Sequence, residues 1–113
     1  MASEYAKYVV DERAKKTMED PGKAHRYARD VIKGRWYQAE LTIMTDPYWA
    51  YCYASEIING RWPEAESVIM TDPYWAYWYA RYVIKGRWPE AEGIISKAHG
   101  CWNSYKDFLS TLS

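Results

Sequence analysis

The tripeptide Gly-Arg-Trp occurs at 34–36, 60–62 and 86–88, a fixed spacing of 26 residues. A period of this length marks a chain built from stacked copies of one small unit. The full units run 20–45, 46–71 and 72–97. The second and third agree at 17 of 26 positions and the first and second at 14 of 26, so one local structure must serve all three.

Each unit carries two helix signals. The first helix opens at Asp20-Pro21, Asp46-Pro47 or Asp72-Pro73. An aspartate there can accept the unsatisfied N–H groups of the first turn, and proline at the next position has its φ already set. This helix is expected to run about 13 residues to Gly34, Gly60 or Gly86, where glycine can take the left-handed conformation that closes a helix. The second helix starts near Pro63-Glu64-Ala65-Glu66 and Pro89-Glu90-Ala91-Glu92, with acids at the positive end of its dipole. In the first unit Tyr37-Gln38 replaces Pro-Glu, which predicts a less sharply started helix.

Apolar spacing predicts which face turns inward. Ala50, Tyr53, Ala54, Ile57 and Ile58 fall on one helical stripe, as do Ala76, Tyr79, Ala80, Val83 and Ile84, and Ala24, Tyr27, Ala28, Val31 and Ile32. Trp62, Ala65, Val68 and Ile69 form the matching stripe of the second helix. With seven Trp and twelve Tyr, rings supply most of the area to be buried. No single unit can cover such a face, but stacked units can. The expected fold is therefore all-α: a short right-handed α-solenoid of three helix–turn–helix repeats forming one domain over residues 1–113. Residues 1–19 and 98–113 are expected to be capping helices. Tyr5 to Val10 starts like a repeat and gives way to the polar run Asp11 to Lys16. At the other end Ala98-His99-Gly100-Cys101 replaces Asp-Pro-Tyr-Trp, and Ser104 with Asp107 resembles a capping box opening the last helix.

The string Lys85-Gly86-Arg87-Trp88-Pro89-Glu90-Ala91-Glu92, followed by a helix, with Asp-Pro-x-Trp-Ala-Tyr at 46–51 and 72–77, resembles the tandem repeats of many uncharacterised bacteriophage proteins. The resemblance covers 20–97 well and the caps poorly. It implies an all-helical solenoid of viral origin, and brings no reaction or catalytic residue with it.

Lys+Arg and Asp+Glu are both 15, so the formal net charge is zero, which argues against a general nucleic-acid binder. Residues 1–36 hold nine basic and six acidic groups, with Arg26, Arg29 and Lys33 on one stripe. No apolar run is long enough to span a membrane, and the first residues do not read as a secretory signal. A cytoplasmic protein, in the host cell if phage-encoded, with Cys52 and Cys101 as free thiols, is expected.

No catalytic constellation is found. His25 and His99 have no metal-ligand spacing with cysteine or each other, the carboxylates sit at helix starts where capping explains them, and no phosphate loop occurs. We expect no enzyme activity, no cofactor and no metal. Arg35, Arg61 and Arg87 recur with Glu40, Glu66 and Glu92, which predicts structural pairs. On the outer face of the first helices lie Tyr48, Cys52, Ser55 and Asn59 in unit two, Tyr74, Trp78, Arg81 and Lys85 in unit three, and Gly22, Arg26, Arg29 and Lys33 in unit one. Trp49, Trp75, Tyr51, Tyr77 and Tyr82 flank that face, where packing between repeats competes with binding. The partner-binding candidates are Tyr48, Trp49, Tyr74, Trp75, Trp78, Arg81, Tyr82 and Lys85, since Trp, Tyr and Arg dominate interface centres. These features predict a non-catalytic protein-binding module whose partner is a host or phage protein, in the phage setting an inhibitor of a bacterial defence protein. The alternatives are a nucleic-acid module using Arg26, Arg29, Lys33, Arg81 and Lys85, and a structural protein that self-associates.

Overall fold

Asp20, Asp46 and Asp72 open their units as the caps predict. Each has extended backbone, with φ near −119° (Asp20, Asp46) or −118° (Asp72). The Asp46 carboxylate accepts from the N–H groups of Tyr48 (2.9 Å) and Trp49 (3.1 Å), and Asp72 does the same for Tyr74 and Trp75. Asp20 accepts from Lys23 N–H at 2.9 Å. The computed structural model describes residues 12–112. Among them the helices are α1 (Glu12–Met18), α2 (Pro21–Tyr27), α3 (Glu40–Ile43), α4 (Pro47–Tyr53), α5 (Pro63–Ile69), α6 (Pro73–Tyr79), α7 (Pro89–Ile95) and α8 (His99–Ser110), with no strand. The expected repeat-like start at Tyr5 to Val10 lies outside the described residues. Tyr37–Ala39 forms a 3-10 turn before α3, which is how the first unit manages without its proline.

The chain is an all-α solenoid. Within a unit α4 packs on α5 and α6 on α7, and the first helices α2, α4, α6 and α8 pack successively on one another. The molecule measures 50 × 24 × 19 Å with a radius of gyration of 15.7 Å. A compact ball of this chain length would have about 13 Å, so growth runs along one axis. One continuous core joins the units. Ala24, Ala28, Ala50, Ala54, Ala76 and Ala80 are fully covered where helices approach closely, and Trp36, Trp62, Trp88, Tyr53, Tyr79 and Tyr105 fill the space between. Val31 departs from its predicted stripe and stays half exposed, although its equivalent Val83 is buried.

The first helices close differently from the expectation. After α2, α4 and α6 the coil widens, so that the N–H of Lys33, Asn59 and Lys85 reaches back five residues to Ala28, Ala54 and Ala80. The same carbonyls also accept from Gly34, Gly60 and Gly86, at 3.2–3.3 Å. The left-handed residue is the one before the glycine: Lys33, Asn59 and Lys85 have φ of 60–61°, and no glycine has positive φ. A Cβ at Gly34, Gly60 or Gly86 would meet no neighbour, and nothing in the structure explains glycine there. A side chain in the left-handed region costs roughly 1–2 kcal/mol, more than the roughly 0.5–1 kcal/mol that glycine loses through unfolded-state freedom. Lys85→Gly is therefore expected to raise stability by about 0.5–1 kcal/mol in urea unfolding. Asn59→Gly should gain less, because asparagine tolerates this conformation.

A repeated polar clasp locks each unit to the next. Arg35 donates two hydrogen bonds to the Glu40 carboxylate, both at 2.8 Å. Tyr53, in the following unit, donates its hydroxyl to Glu40 Oε2 at 2.7 Å and accepts from the backbone N–H of Trp36 at 2.8 Å. The pattern recurs with Arg61, Glu66, Tyr79 and Trp62, and again with Arg87, Glu92, Tyr105 and Trp88. The predicted Arg–Glu pairs are thus half of a four-membered arrangement. Burial first, and then the neighbouring glutamate, pushes the Tyr53 and Tyr79 hydroxyls far above the usual tyrosine range, so both remain donors. Burial alone would raise the Glu66 carboxyl, but Arg61 and Tyr79 outweigh it and hold it below the ordinary value.

α8 continues this register as a fourth first helix. Tyr105 stands 26 residues after Tyr79 and makes the same bonds. The helix starts at His99, so Ser104 lies inside it and is no cap. The equivalent of the capping aspartate is Ala98, whose side chain makes no cap bond.

Candidate interaction surface

The junctions between units are built on a wedge. Two places after the cap prolines Pro47 and Pro73 a tryptophan inserts its ring against the preceding first helix. Trp49 lies against His25 (ring centroids 5.6 Å apart) and over Gly22, where a Cβ would come within 2.8 Å of the indole. Gly22, where the later units have tyrosine, lets the Trp49 indole lie directly against its helix. Trp75 lies against Tyr48 (4.7 Å) and Tyr51 (5.7 Å, stacked), with tyrosine rather than glycine at the position facing it. Both wedge tryptophans are half-buried, and Trp49 packs against the core, so packing between repeats takes up much of their surface.

The structure narrows the outer face predicted from the helical stripe. Cys52 is only 6 % exposed and Gly22 is buried. Cys52 is covered because α4 lies between α2 and α6, leaving a thinner exposed arc than an isolated helix would have, and Gly22 because the Trp49 ring lies over it. Burial pushes the Cys52 and Cys101 thiols up, so neither is an activated nucleophile. Among the described residues no three His, Cys, Asp or Glu side chains converge on a metal-sized site, and no helix is long and apolar enough to cross a membrane.

Of the aromatic candidates, the contiguous exposed group lies on the third unit, while Val31, Tyr37 and Leu41 of the first unit are also exposed. Trp78 stacks on Tyr82 at 4.9 Å with planes 17° apart, and Tyr74 touches Trp78 and Trp75. Arg81 donates to the Tyr77 hydroxyl at 2.7 Å and covers the rings of Tyr82 and Phe108. Tyr74 is 49 % exposed and Tyr82 44 %, while Tyr48, at 37 %, belongs to the preceding junction. Lys85 is exposed and, with Ser55, Asn59 and Tyr82, borders a cleft of about 150 Å³. Tyr74, Trp78, Arg81 and Tyr82 therefore form one contiguous group with Lys85 at its edge. Arg29 of the basic stripe is engaged by Asp30 (2.8 Å) and Glu56 (3.7 Å), which reduces the field it could offer a polyanion.

His25, whose spacing suits no metal site, lies buried at the first junction. It is 1 % exposed, at the position of Tyr51 and Tyr77. Its Nε2 lies 3.4 Å from Glu56, and its Nδ1 is buried with no hydrogen bond. Burial dominates and lowers its pKa from 6.5, despite the opposing pull of Glu56. The unfolded chain then binds a proton that the fold resists, so stability should fall as pH drops below about 6.5. Urea unfolding at pH 7.5 and 5.5 should show this loss in the parent, and His25→Gln should flatten it. Glu56→Gln should steepen it.

The fold and this surface define a short helical-repeat protein with an ordered aromatic edge. No family model, curated protein or solved structure matches the chain.

Proposed function

We propose that the chain is a non-catalytic protein-binding module, with Tyr74, Trp78, Arg81, Tyr82 and Lys85 as its docking surface. The observation that carries this reading is the Trp78–Tyr82 stack with Arg81 beside it, the half-buried Trp78 anchoring it to the core while Tyr82 and Arg81 face solvent. Tyr, Trp and Arg are the side chains that most often dominate binding energy. A rigid edge also loses little entropy on docking. Tyr48 extends the surface toward the second unit, and Trp49 and Trp75 support it from between units. The resemblance of the repeat to those of bacteriophage proteins suggests the partner class: a host or phage protein, with a bacterial defence factor as the target to be blocked.

The test is capture from bacterial lysate by tagged protein, with Arg81→Ala/Tyr82→Ala as the comparison. A partner held by the parent and lost in the double variant, whose circular dichroism is unchanged, supports the reading. Equal capture by both refutes it. Added salt separates protein from nucleic-acid binding, since affinity for a polyanion falls steeply with salt. Sedimentation over a concentration series separates both from self-association.

A further inference from the structure

The third junction lacks its wedge. Position by position, at 26-residue spacing, Tyr74 gives way to Gly100, Trp75 to Cys101 and Trp78 to Ser104. The three substitutions share one patch of α8, and each removes a ring. Tyr74 and Tyr77, the equivalents of the Tyr48 and Tyr51 that hold Trp75, remain in place. Between them lies a cavity of about 420 Å³, lined by Tyr74, Tyr77, Trp78, Gly100, Cys101 and Ser104. It falls within the size range of small-molecule sites, roughly 300–1,000 Å³.

We infer that this cavity is a seat for a tryptophan side chain presented by the partner protein. The inference deepens the proposed docking surface and rests on that reading, sharing Tyr74 and Trp78 with it. The chain itself demonstrates the fit: one repeat earlier, the same pair of tyrosine positions clasps an indole at ring-centroid distances of 4.7 and 5.7 Å. The seat continues the interface that joins the units, so a partner tryptophan would extend an existing row of wedges. All six lining residues are uncharged. Nothing in the lining would hold the ammonium or carboxylate of the free amino acid, which favours an indole carried on a polypeptide. An aromatic anchor in a preformed pocket is how a few side chains come to dominate an interface.

The probe is N-acetyl-tryptophanamide, titrated into the full chain and followed by amide NMR shifts. Saturable binding in the millimolar range or tighter is expected, with shifts centred on Tyr74, Tyr77 and Cys101. N-acetyl-leucinamide should bind at least ten-fold more weakly. Cys101→Trp restores the repeat's own wedge and should both raise the melting temperature and abolish probe binding. Ser104→Trp, at an exposed position, provides a second block should the first variant fail to fold, and should weaken the probe at least ten-fold. Absence of saturable binding in the parent overturns the inference, as does unchanged affinity in the folded blocking variants. Free tryptophan binding much more tightly than the blocked amide overturns the polypeptide source. A dimer that dissolves in Cys101→Trp would make a second copy the occupant and overturn the partner assignment. Lysate capture reports separately: partner loss in Arg81→Ala/Tyr82→Ala with no probe binding removes the seat alone, whereas probe binding without such loss removes the docking surface.

Discussion

Trp62→Ala is expected to destabilise the stack by about 3–5 kcal/mol, the range for deleting a large buried aromatic. Trp62 is 1 % exposed, and its ring packs on Tyr53 at 4.8 Å. It stands at the middle corner, with a full unit on either side. In a repeat stack each unit depends on its neighbours, so a void here weakens contacts in both directions. A loss of this size is a large part of the roughly 5–15 kcal/mol that holds an ordinary domain together. Urea unfolding followed by far-ultraviolet circular dichroism measures it directly. A near-neutral result would remove Trp62 from the interior as described. Trp62→Phe should cost less than the alanine variant, for two reasons. More of the ring volume is kept, and the indole Nε1, buried without a hydrogen-bond partner, is removed along with its desolvation cost. The same orphaned nitrogen occurs at Trp36 and Trp88, so the comparison can be repeated at each corner.

The legible parts of the fold are those set by chain-local chemistry and by periodicity. Asp46-Pro47 announces a helix start wherever it stands, and a spacing of 26 ties three such starts to one design. The inward stripe of Ala50, Tyr53 and Ala54 followed from helical geometry and is fully buried. Where local rules compete, local chemistry alone misplaces the detail. Glycine is the usual left-handed residue, yet widening of the coil after α2, α4 and α6 shifts that conformation onto Lys33, Asn59 and Lys85. Ser104 looked like a cap because its neighbours suit one, but α8 is held in register by Tyr105, which reaches across to the preceding unit. On the surface, a helical wheel cannot tell how much of a face neighbouring units cover, and so it left Cys52 outside. The missing wedge at Cys101 shows only when the junctions are compared in space. The sequence carried its trace in the change from Tyr-Trp to Gly-Cys at 100–101.

The hydroxyl of Tyr53 was the least legible of the important groups, since its partners lie 17 and 13 residues away across a unit boundary. Tyr53→Phe keeps the ring and deletes one oxygen, yet it leaves the Trp36 N–H without its acceptor and removes one of the two donors to Glu40 Oε2, the other being Arg35 Nε. Both losses fall in covered surroundings. A buried polar group left unsatisfied costs about 1–3 kcal/mol, and a hydrogen bond lost from a group that keeps another partner about 0.5–1.5 kcal/mol. We therefore expect a total loss of about 2–4 kcal/mol, with Arg35 still holding Glu40 and limiting the damage. The three clasps also predict an order. The glutamate side chain is 10 % exposed at Glu40, 14 % at Glu66 and 20 % at Glu92, and the arginine rises in step from 33 to 46 to 64 %. Water can replace a lost partner more readily where the group is more open. The cost should accordingly fall from Tyr53→Phe to Tyr79→Phe to Tyr105→Phe, measured by urea unfolding of the three variants under one set of conditions. Equal losses would mean that the shared ring packing is disturbed, and a reversed order would mean that burial of the carboxylate does not set the strength of the clasp.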